Sequence, residues 1–334
     1  MNIQESLVSV IITAYNRVDL LQESLASVFQ QTYKFVEIIL VDDGSQKPIS
    51  HTIKSMIAAS PYNIKVVRHD QNKGAGAARE TGRLHAKGAF IQYLDSDDLL
   101  APNKLSLQVK GLQENTELDI SYGRTIYFKG VVPENINSSN CFNYLRTHEK
   151  HKHIIPAILD GRLWATSTPL YRTTLLNKIG SWSSLRVCED VEYEHRLGLA
   201  SNGLHYISET VAMIREHDAR VINLNYKKPS LANHITCYVS VMKNFNKSSL
   251  EIDFQEHPEF AINLFFLARK AASLGDKRAT QFLTREFLNV KNLSFKRSFS
   301  AQIFLLFTHA FGVKIAGLIS DFLERRQFKS WKKM

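Results

Sequence analysis

The chain has 334 residues, enough to bury a sizeable core and to divide into more than one unit. Its 44% hydrophobic and 22% charged residues are ordinary for a soluble globular protein. Cys141, Cys188 and Cys237 lie far apart without CxxC spacing, which argues against a disulfide framework and a zinc site and indicates a reducing compartment.

The formal net charge of +10 predicts an anionic partner. No motif that reads DNA or RNA is present, so we expect no nucleic acid partner. The basic excess is concentrated in residues 291–334, which hold nine Lys or Arg and only Asp321 and Glu324 as acids. Anionic membrane or a phosphorylated substrate therefore fits better. The first residues lack the basic and apolar regions of a signal peptide, so we expect a cytoplasmic protein.

The first hundred residues alternate between buried strands and helices. The strands are predicted at Leu7–Thr13, Val36–Val41, Ile64–Arg68 and Ala89–Tyr93, and the helices at Asp19–Phe29, Ile49–Ala59 and Ala77–Ala86. Such alternation predicts an α/β fold with a mostly parallel sheet and right-handed crossovers.

Polar clusters end three of these strands, at residues 13–17, 42–45 and 95–98. Ligands of parallel sheets bind outside the carboxyl ends of the strands, so three converging clusters predict a site. The last cluster crowds Asp95, Asp97 and Asp98, and crowded carboxylates favour a divalent metal such as Mg²⁺ or Mn²⁺. The alternative is an Asx-rich turn that caps a helix near Pro102.

The second half of the chain predicts a helix at 103–115, a strand at 119–128, a polar loop at 130–153 and mixed structure at 164–215. Strand patterns then stop, and helical periodicity returns at 257–274, 278–290 and 301–328. We therefore place a domain boundary between residues 226 and 227, with a mainly helical C-terminal region over 227–334.

Single residues near the strand ends favour a nucleotide diphosphate as ligand. Asp43 has the chemistry to accept the imide N–H of uracil or the hydroxyls of a ribose. Tyr15 would stack on a base, or else be an aromatic at the edge of the core. The loop at Gly74 precedes a helix and would bring backbone N–H groups near phosphate. Neither the dinucleotide fingerprint nor the P-loop pattern is present.

Five motifs in order resemble glycosyltransferase family 2, the inverting enzymes of the GT-A fold, over roughly residues 5–220. They are VSVIITAYNR at 8–17, VDDGS at 41–45, NKG at 72–74 with ARETG at 78–82, LDSDD at 94–98, and Glu189-Asp190. The resemblance implies a GT-A type, mostly parallel, Rossmann-like sheet flanked by helices. It also implies a nucleotide-sugar-binding half at 1–100 and an acceptor half at 101–226.

The resemblance also implies roles for individual residues. Asp190 would be the general base, Asp97 and Asp95 would hold Mn²⁺ or Mg²⁺, and Glu189 would lie on the acceptor side. His217, in an R-x-H element similar to one of the family, would approach the metal or else be structural. Trp164 precedes the base and is predicted to shape the acceptor side, with a core tryptophan as the alternative. Donor binding would fall to Thr13, Ala14, Tyr15, Asp43, Gly74, Arg79 and Asp95. The chain has Glu80 where the family often has Asn. From the residues alone, Asp190 is equally explained as part of a solvated acidic helix start.

The implied activity is inverting transfer of a sugar from a nucleotide-diphosphate donor, a UDP-sugar above all, to a hydroxyl of a cell-surface glycan or lipid-linked acceptor. Two alternatives stay open: a nucleotidyltransferase, and a non-catalytic nucleotide-sugar-binding assembly partner. The apolar stretch at 303–322 and the basic tail predict peripheral attachment to the inner face of a membrane, while Lys314 argues against a span. Packing on the catalytic domain or on a second subunit is the alternative.

Overall fold

The computed structural model describes residues 6–132, 141–142, 145–216, 228–254, 256–290 and 295–320. The chain divides into two compact units, Met1–Ile222 and Asn223–Met334. The boundary predicted between residues 226 and 227 falls close to this division. The functions assigned to its two sides stay predictions.

The first unit contains strands and helices that alternate through its first half. The strands are β1 Val8–Ala14, β2 Val36–Asp42, β3 Asn63–Arg68, β4 Phe90–Asp95, β5 Leu99–Leu100, β6 Ile120–Lys129, β7 Cys141–Phe142, β8 Leu170–Arg172 and β9 Leu204–Glu216. The helices are α1 Val18–Phe29, α2 Ile49–Thr52, α3 Lys54–Ala58, α4 Ala75–His85, α5 Lys104–Glu114, α6 Thr173–Ile179 and α7 Glu189–Ala200. The single helix predicted at 49–59 is two short helices, because the backbone leaves helical geometry at Ile53.

All these strands join one sheet in the order β3-β2-β1-β4-β8-β6-β9-β5, with β7 beside β6. The half made of β3, β2, β1 and β4 is parallel. β1, β2 and β4 are almost wholly buried, as parallel strands covered on both faces are, while β3 at the edge of the sheet is partly exposed. The other half is mixed: β8 runs antiparallel to β4 and β6, while β6 and β9 are parallel. The predicted α/β sheet flanked by helices is thus confirmed.

The parallel register brings the predicted polar clusters together. Thr13 at the end of β1 pairs with Val41 on one side and with Asp95 on the other. The carboxyl ends of β2, β1 and β4 therefore lie side by side at one edge of the sheet, as the sequence predicts.

Two glycines on α4 set where this helix lies. A Cβ at Gly82 would come within 2.2 Å of Ile11 Cγ2, so α4 lies directly on β1. A Cβ at Gly76 would meet Ser183 O at 2.9 Å and Glu189 Cγ at 3.2 Å, so the first turn of α4 touches the start of α7. Arg79, between the two glycines, is thereby held between the sheet and α7.

The second unit is helical where it is described, as predicted. Its helices are α8 Lys228–Lys247, α9 Pro258–Leu274, α10 Lys277–Leu288 and α11 Phe295–Phe311. The sequence did not predict α8, and the helix predicted at 301–328 is interrupted at Gly312, whose φ is +80°. Residues 313–320 are again helical, and the basic tail beyond them lies outside the described residues. Among the helices described, none is long and apolar enough to cross a bilayer.

Candidate active site

The acidic cluster after β4 separates into two kinds of carboxylate. Asp98 is fully buried and structural: its carboxylate accepts hydrogen bonds from Ser167 Oγ at 2.8 Å and from the Arg215 backbone N–H at 3.2 Å. The side chains of Asp95 and Asp97 are 24% and 9% exposed. Asp95 and Asp97 are therefore the carboxylates of this cluster that keep exposed surface, and their role as the pair that the family resemblance implies stays a prediction.

Arg79 links the cluster to the start of α7. Its Nη2 donates to Asp95 Oδ1 at 2.8 Å and its Nη1 to Glu189 Oε1 at 2.9 Å, while the guanidinium lies 4.9 Å from the centre of the Trp182 ring. Burial opposes the charge, but the neighbouring Asp95 and Glu189 outweigh it and raise the pKa of Arg79. The predicted donor contact of Arg79 stays a prediction, because the structure places this side chain beneath the site surface with both Nη atoms used.

Asp190, the predicted base, is held by an arginine that the sequence analysis missed. Arg162 Nη1 lies 2.7 Å from Asp190 Oδ2, and the same guanidinium donates to both carboxylate oxygens of Glu194 at 2.5 and 3.2 Å. Asp190 Oδ1 also accepts a hydrogen bond from the Val191 N–H at 2.8 Å. The side chain of Asp190 is 23% exposed, so it is oriented by the protein and still open to a ligand.

Carboxylates outnumber cations in this network. Asp95 and Glu189 share the guanidinium of Arg79, and Asp190 and Glu194 share that of Arg162. Burial and the nearby charge of Asp190 raise the pKa of Glu189. Burial also raises the pKa of Glu194 to about 7, although Arg162 opposes the shift. The network therefore favours an additional positive charge or a proton.

Asp97 also has an arginine partner, because Arg17 Nη1 lies 2.8 Å from its Oδ2. Within the described residues no group of three or more His, Cys, Asp or Glu side chains forms a complete metal cage. Binding of Mg²⁺ or Mn²⁺ by Asp95 and Asp97 stays a prediction. Their partly exposed carboxylates have the chemistry for it, because proteins often bind these ions through one or two carboxylates with phosphate oxygens and water completing the shell. His217, the third predicted ligand, lies outside the described residues.

Asp43 organises the loop that precedes α4. Its Oδ1 lies 2.7 Å from His69 Nδ1 and accepts the Lys73 N–H at 2.8 Å, while its Oδ2 accepts the Gly74 N–H at 2.8 Å. Gly74 has a φ of +96°, which favours glycine at this position. A carboxylate offers about four lone-pair positions, so a further contact with uracil or ribose is compatible with these three bonds and stays a prediction.

The residues after β1 present one open aromatic ring. Thr13 and Ala14 end the strand, and Tyr15 follows with 45% of its surface exposed. Asn16 then ties this turn to the loop after β2: its N–H donates to Ser45 Oγ at 3.0 Å and its Oδ1 accepts from the Gln46 N–H at 2.8 Å. The exposure of Tyr15 is compatible with the predicted stacking on a base.

Trp164 is a core residue rather than an open platform for a sugar. Only 1% of it is exposed, and its ring lies 5.1 Å from that of Tyr122. Glu189, by contrast, lies beside Asp190 at the start of α7 as the resemblance implies, with its carboxylate bound to Arg79. Of the residues predicted on the acceptor side, Glu189 at the start of α7 stays a candidate, while the buried Trp164 ring offers no open surface to a sugar.

Comparison with known proteins identifies the family to which the chain is similar. The sequence model described as glycosyl transferase family 2 matches residues 9–166. The uncharacterized glycosyltransferase RP339 of Rickettsia prowazekii is 30% identical over 66% of this chain and 68% of its own length. The Escherichia coli protein WfgD, a UDP-Glc:alpha-D-GlcNAc-diphosphoundecaprenol beta-1,3-glucosyltransferase, is 34% identical over 39% of this chain and 53% of its own. Several other Rickettsia relatives are much longer, and this chain spans about a fifth of their length.

Solved structures share the fold at low sequence identity. The TarS 1–349 complex with UDP-GlcNAc from S. aureus has a TM-score of 0.63 at 16% identity, over 96% of this chain and 92% of TarS 1–349. The mannosyltransferase PcManGT of Pyrobaculum calidifontis, in complex with GDP-Man and Mn²⁺, has a TM-score of 0.53 at 14% identity, over 96% and 88% of the two chains.

The mostly parallel mixed sheet, its flanking helices and these structural neighbours thus define a GT-A fold. With the family match and the RP339 relative, the chain belongs to glycosyl transferase family 2.

Proposed function

We propose that this chain is an inverting glycosyltransferase that moves a sugar from a UDP-sugar to a hydroxyl group of a glycan or lipid-linked acceptor. Asp190 is the general base, and Asp95 and Asp97 form the donor-side carboxylate pair. Family membership supports the reaction class, and the relatives' names support the substrates. WfgD is named for a UDP-glucose donor and a diphosphoundecaprenol-linked acceptor, and a TarS structure contains UDP-GlcNAc.

The observation that carries the proposal is the single buried guanidinium of Arg79, which contacts Asp95 and Glu189 at once. It fixes the end of β4 against the start of α7, although the two segments lie far apart in the sequence. A donor bound at Asp95 and an acceptor activated at Asp190 would consequently meet in one site. Transfer in a single displacement needs this proximity of the two substrates.

In the proposed step, Asp190 accepts the proton of the acceptor hydroxyl while the hydroxyl oxygen attacks the anomeric carbon of the donor sugar. The new C–O bond forms as the bond from the anomeric carbon to the diphosphate breaks, so configuration inverts. Arg162 keeps the Asp190 carboxylate oriented, with the Val191 N–H fixing its other oxygen. A divalent metal held by Asp95 and Asp97 would supply positive charge for the departing diphosphate.

Donor binding is assigned to the turn after β1 and the loop before α4. Tyr15 offers an exposed ring on which a base can stack, and such stacking contributes about 1–3 kcal/mol per base. Asp43 contributes by holding the Gly74 loop and by its remaining acceptor capacity for the uracil or ribose. UDP-glucose and UDP-GlcNAc are the donors to test first, because WfgD is named for the first and a TarS structure contains the second.

A thermal-shift panel with UDP-, GDP-, dTDP- and CMP-sugars, each with Mn²⁺ and with EDTA, tests the donor site. We expect stabilisation by the UDP-sugars, dependent on metal and lost in Asp97→Ala. The control is Asp98→Asn, which changes the structural carboxylate and is expected to lower stability without selective loss of the donor shift. The absence of a shift with every donor would contradict the proposal.

Turnover is tested by the release of UDP in the presence of an undecaprenyl-diphosphate-linked acceptor. Asp190→Asn should keep the donor-induced thermal shift and lose transfer, by about 10²–10⁴-fold if Asp190 is the base. Equal UDP release by both proteins would contradict the role of Asp190 as the base. A donor-induced thermal shift without UDP release by the parent would favour the alternative of a non-catalytic nucleotide-sugar-binding partner. Release of diphosphate from a nucleoside triphosphate and a sugar phosphate would instead indicate a nucleotidyltransferase.

A further inference from the structure

Helix α11 and the helical segment 313–320 carry large apolar side chains that stay substantially exposed. We name this set the apolar face. Its members are 37% to 68% exposed and comprise Ile303, Leu306, Phe307, Phe311, Ile315, Leu318 and Ile319. Exposed apolar patches of more than a few hundred Å² are rare on monomeric proteins and mark interaction sites.

The opposite side of these helices already packs within the second unit. Ala301, Phe304 and Ala316 are buried, and the Phe304 ring lies 5.7 Å from that of Phe265 on α9 in an edge-to-face arrangement. The apolar face is therefore not the side by which α11 joins its own bundle. A helix with apolar side chains on both sides is expected to contact a second apolar surface besides its own bundle.

Charge identifies that environment. Residues 300–320 contain no acidic side chain, and their one lysine, Lys314, is exposed. Over residues 291–334 nine Lys or Arg stand against two acids. Helices with an apolar surface and nearby Lys or Arg side chains insert at the boundary between the headgroups and acyl chains of an anionic bilayer.

The same charge disfavours a second copy of this chain as the occupant. Two copies that met through the apolar face would bring two strongly basic segments together, and like charges destabilise such an interface. An anionic lipid surface instead neutralises the cations while it accepts the apolar side chains. We propose that the apolar face binds the surface of an anionic bilayer, with its helices lying in the interface and not spanning it. This inference does not depend on the proposed transferase activity.

Vesicle co-sedimentation of the full chain tests the inference. Phosphatidylcholine vesicles with about 30% phosphatidylglycerol are compared with pure phosphatidylcholine, at low and at high salt. We expect binding to the anionic vesicles that weakens with salt. Leu306→Gln and Phe311→Gln should each weaken it by about tenfold, the loss expected for one inserted side chain. Arg325→Gln with Arg326→Gln should weaken it by about fivefold per charge removed.

The matched control is Leu84→Gln on α4, because Leu84 is 69% exposed and Leu306 68%. Leu84 belongs to the first unit and is not a member of the apolar face, so its variant should bind vesicles as the parent chain does. Thermal unfolding of each variant shows whether the fold is kept. No binding to anionic vesicles, or an equal loss in the Leu84 and Leu306 variants, would overturn the inference. A dimer in light scattering that Leu306→Gln dissociates would also overturn it, because the face would then be occupied by a second copy.

Discussion

Replacement of Arg79 by methionine tests whether one buried cation holds the two sides of the site together. Methionine keeps much of the side chain's length and apolar volume and removes only the guanidinium. Asp95 and Glu189 would then lose a partner that contacts them at 2.8 and 2.9 Å. Loss of one member of a buried ion pair destabilises a protein by about 3–5 kcal/mol, because the remaining charge stays buried without compensation.

The size of the effect should depend on pH, and its sign follows from the carboxylates. Burial and the charge of Asp190 raise the pKa of Glu189 even with Arg79 present, and removal of Arg79 raises it further. A carboxyl group whose folded pKa exceeds its unfolded value stabilises the fold fully below the unfolded pKa and loses this contribution as pH rises through the folded one. Arg79→Met should therefore be much less stable than the parent at about pH 8 and closer to it at about pH 5.

Thermal unfolding at the two pH values measures this prediction. For a unit of this size, a loss of about 3–5 kcal/mol corresponds to a fall in Tm of roughly 6–20 °C. The control is Arg146→Met, which removes a guanidinium from a partly exposed pair with Glu149 and should cost about 1 kcal/mol or less. A fall in Tm no larger than that of the control, or one independent of pH, would refute the reasoning.

Three further changes test the other arginine and carboxylate contacts. Arg162→Gln should lower kcat by about 10–100-fold with little change in KM, because Asp190 loses the guanidinium that orients its carboxylate; an unchanged kcat in steady-state assays would contradict this. Arg17→Gln should tighten Mn²⁺ binding in the presence of UDP by up to about fivefold in calorimetry, because a competing cation leaves Asp97; unchanged affinity would contradict this. Glu194→Gln should remove a pH-dependent destabilisation, because the pKa of Glu194 is raised from 4.5 to about 7 in the folded protein. In urea unfolding, the parent should therefore lose about 3 kcal/mol of stability relative to the variant between pH 4.5 and 7.

The positions of the predicted carboxylates could be read from the sequence because each belongs to a local pattern. β-branched runs identify β1 and β2, an apolar run identifies β4, and a parallel sheet brings their carboxyl ends to one edge. Asp43, Asp95 and Asp97 follow directly from these strand ends. Asp190 has no such strand, and only the family resemblance singled it out from the neighbouring acids of the α7 start.

The arginines that bind these carboxylates could not be predicted in the same way. Arg79 and Glu189 are 110 residues apart in the sequence, and Arg17 and Asp97 are 80 apart. Arg162 lies outside every motif that the sequence analysis used, and one arginine among 42 Lys and Arg carries no local signal. The burial of Trp164 could not be predicted either, because the sequence does not distinguish a tryptophan in a core from one on a binding surface.

Helix α8 was not predicted for a different physical reason. Ile235, Thr236, Val239 and Val241 are β-branched and lower the intrinsic helix propensity of this stretch. Tertiary packing decides instead: Ile235, Met242 and Phe245 are buried, and the Phe245 ring lies 6.3 Å from Phe260 on α9. Burial of apolar side chains therefore outweighs local preference in the second unit.

The excess of carboxylates over guanidinium groups connects the stability of the site to its proposed chemistry. A fold selected for stability alone would match each buried carboxylate with a cation, yet Glu189 and Glu194 retain raised pKa values beside Arg79 and Arg162. The unmatched charge lies at the sheet edge where a diphosphate would need a divalent cation to approach. The same carboxylates that destabilise the protein at neutral pH would thus favour the cation of the proposed donor site, which is why their arginine partners are the most informative residues to change.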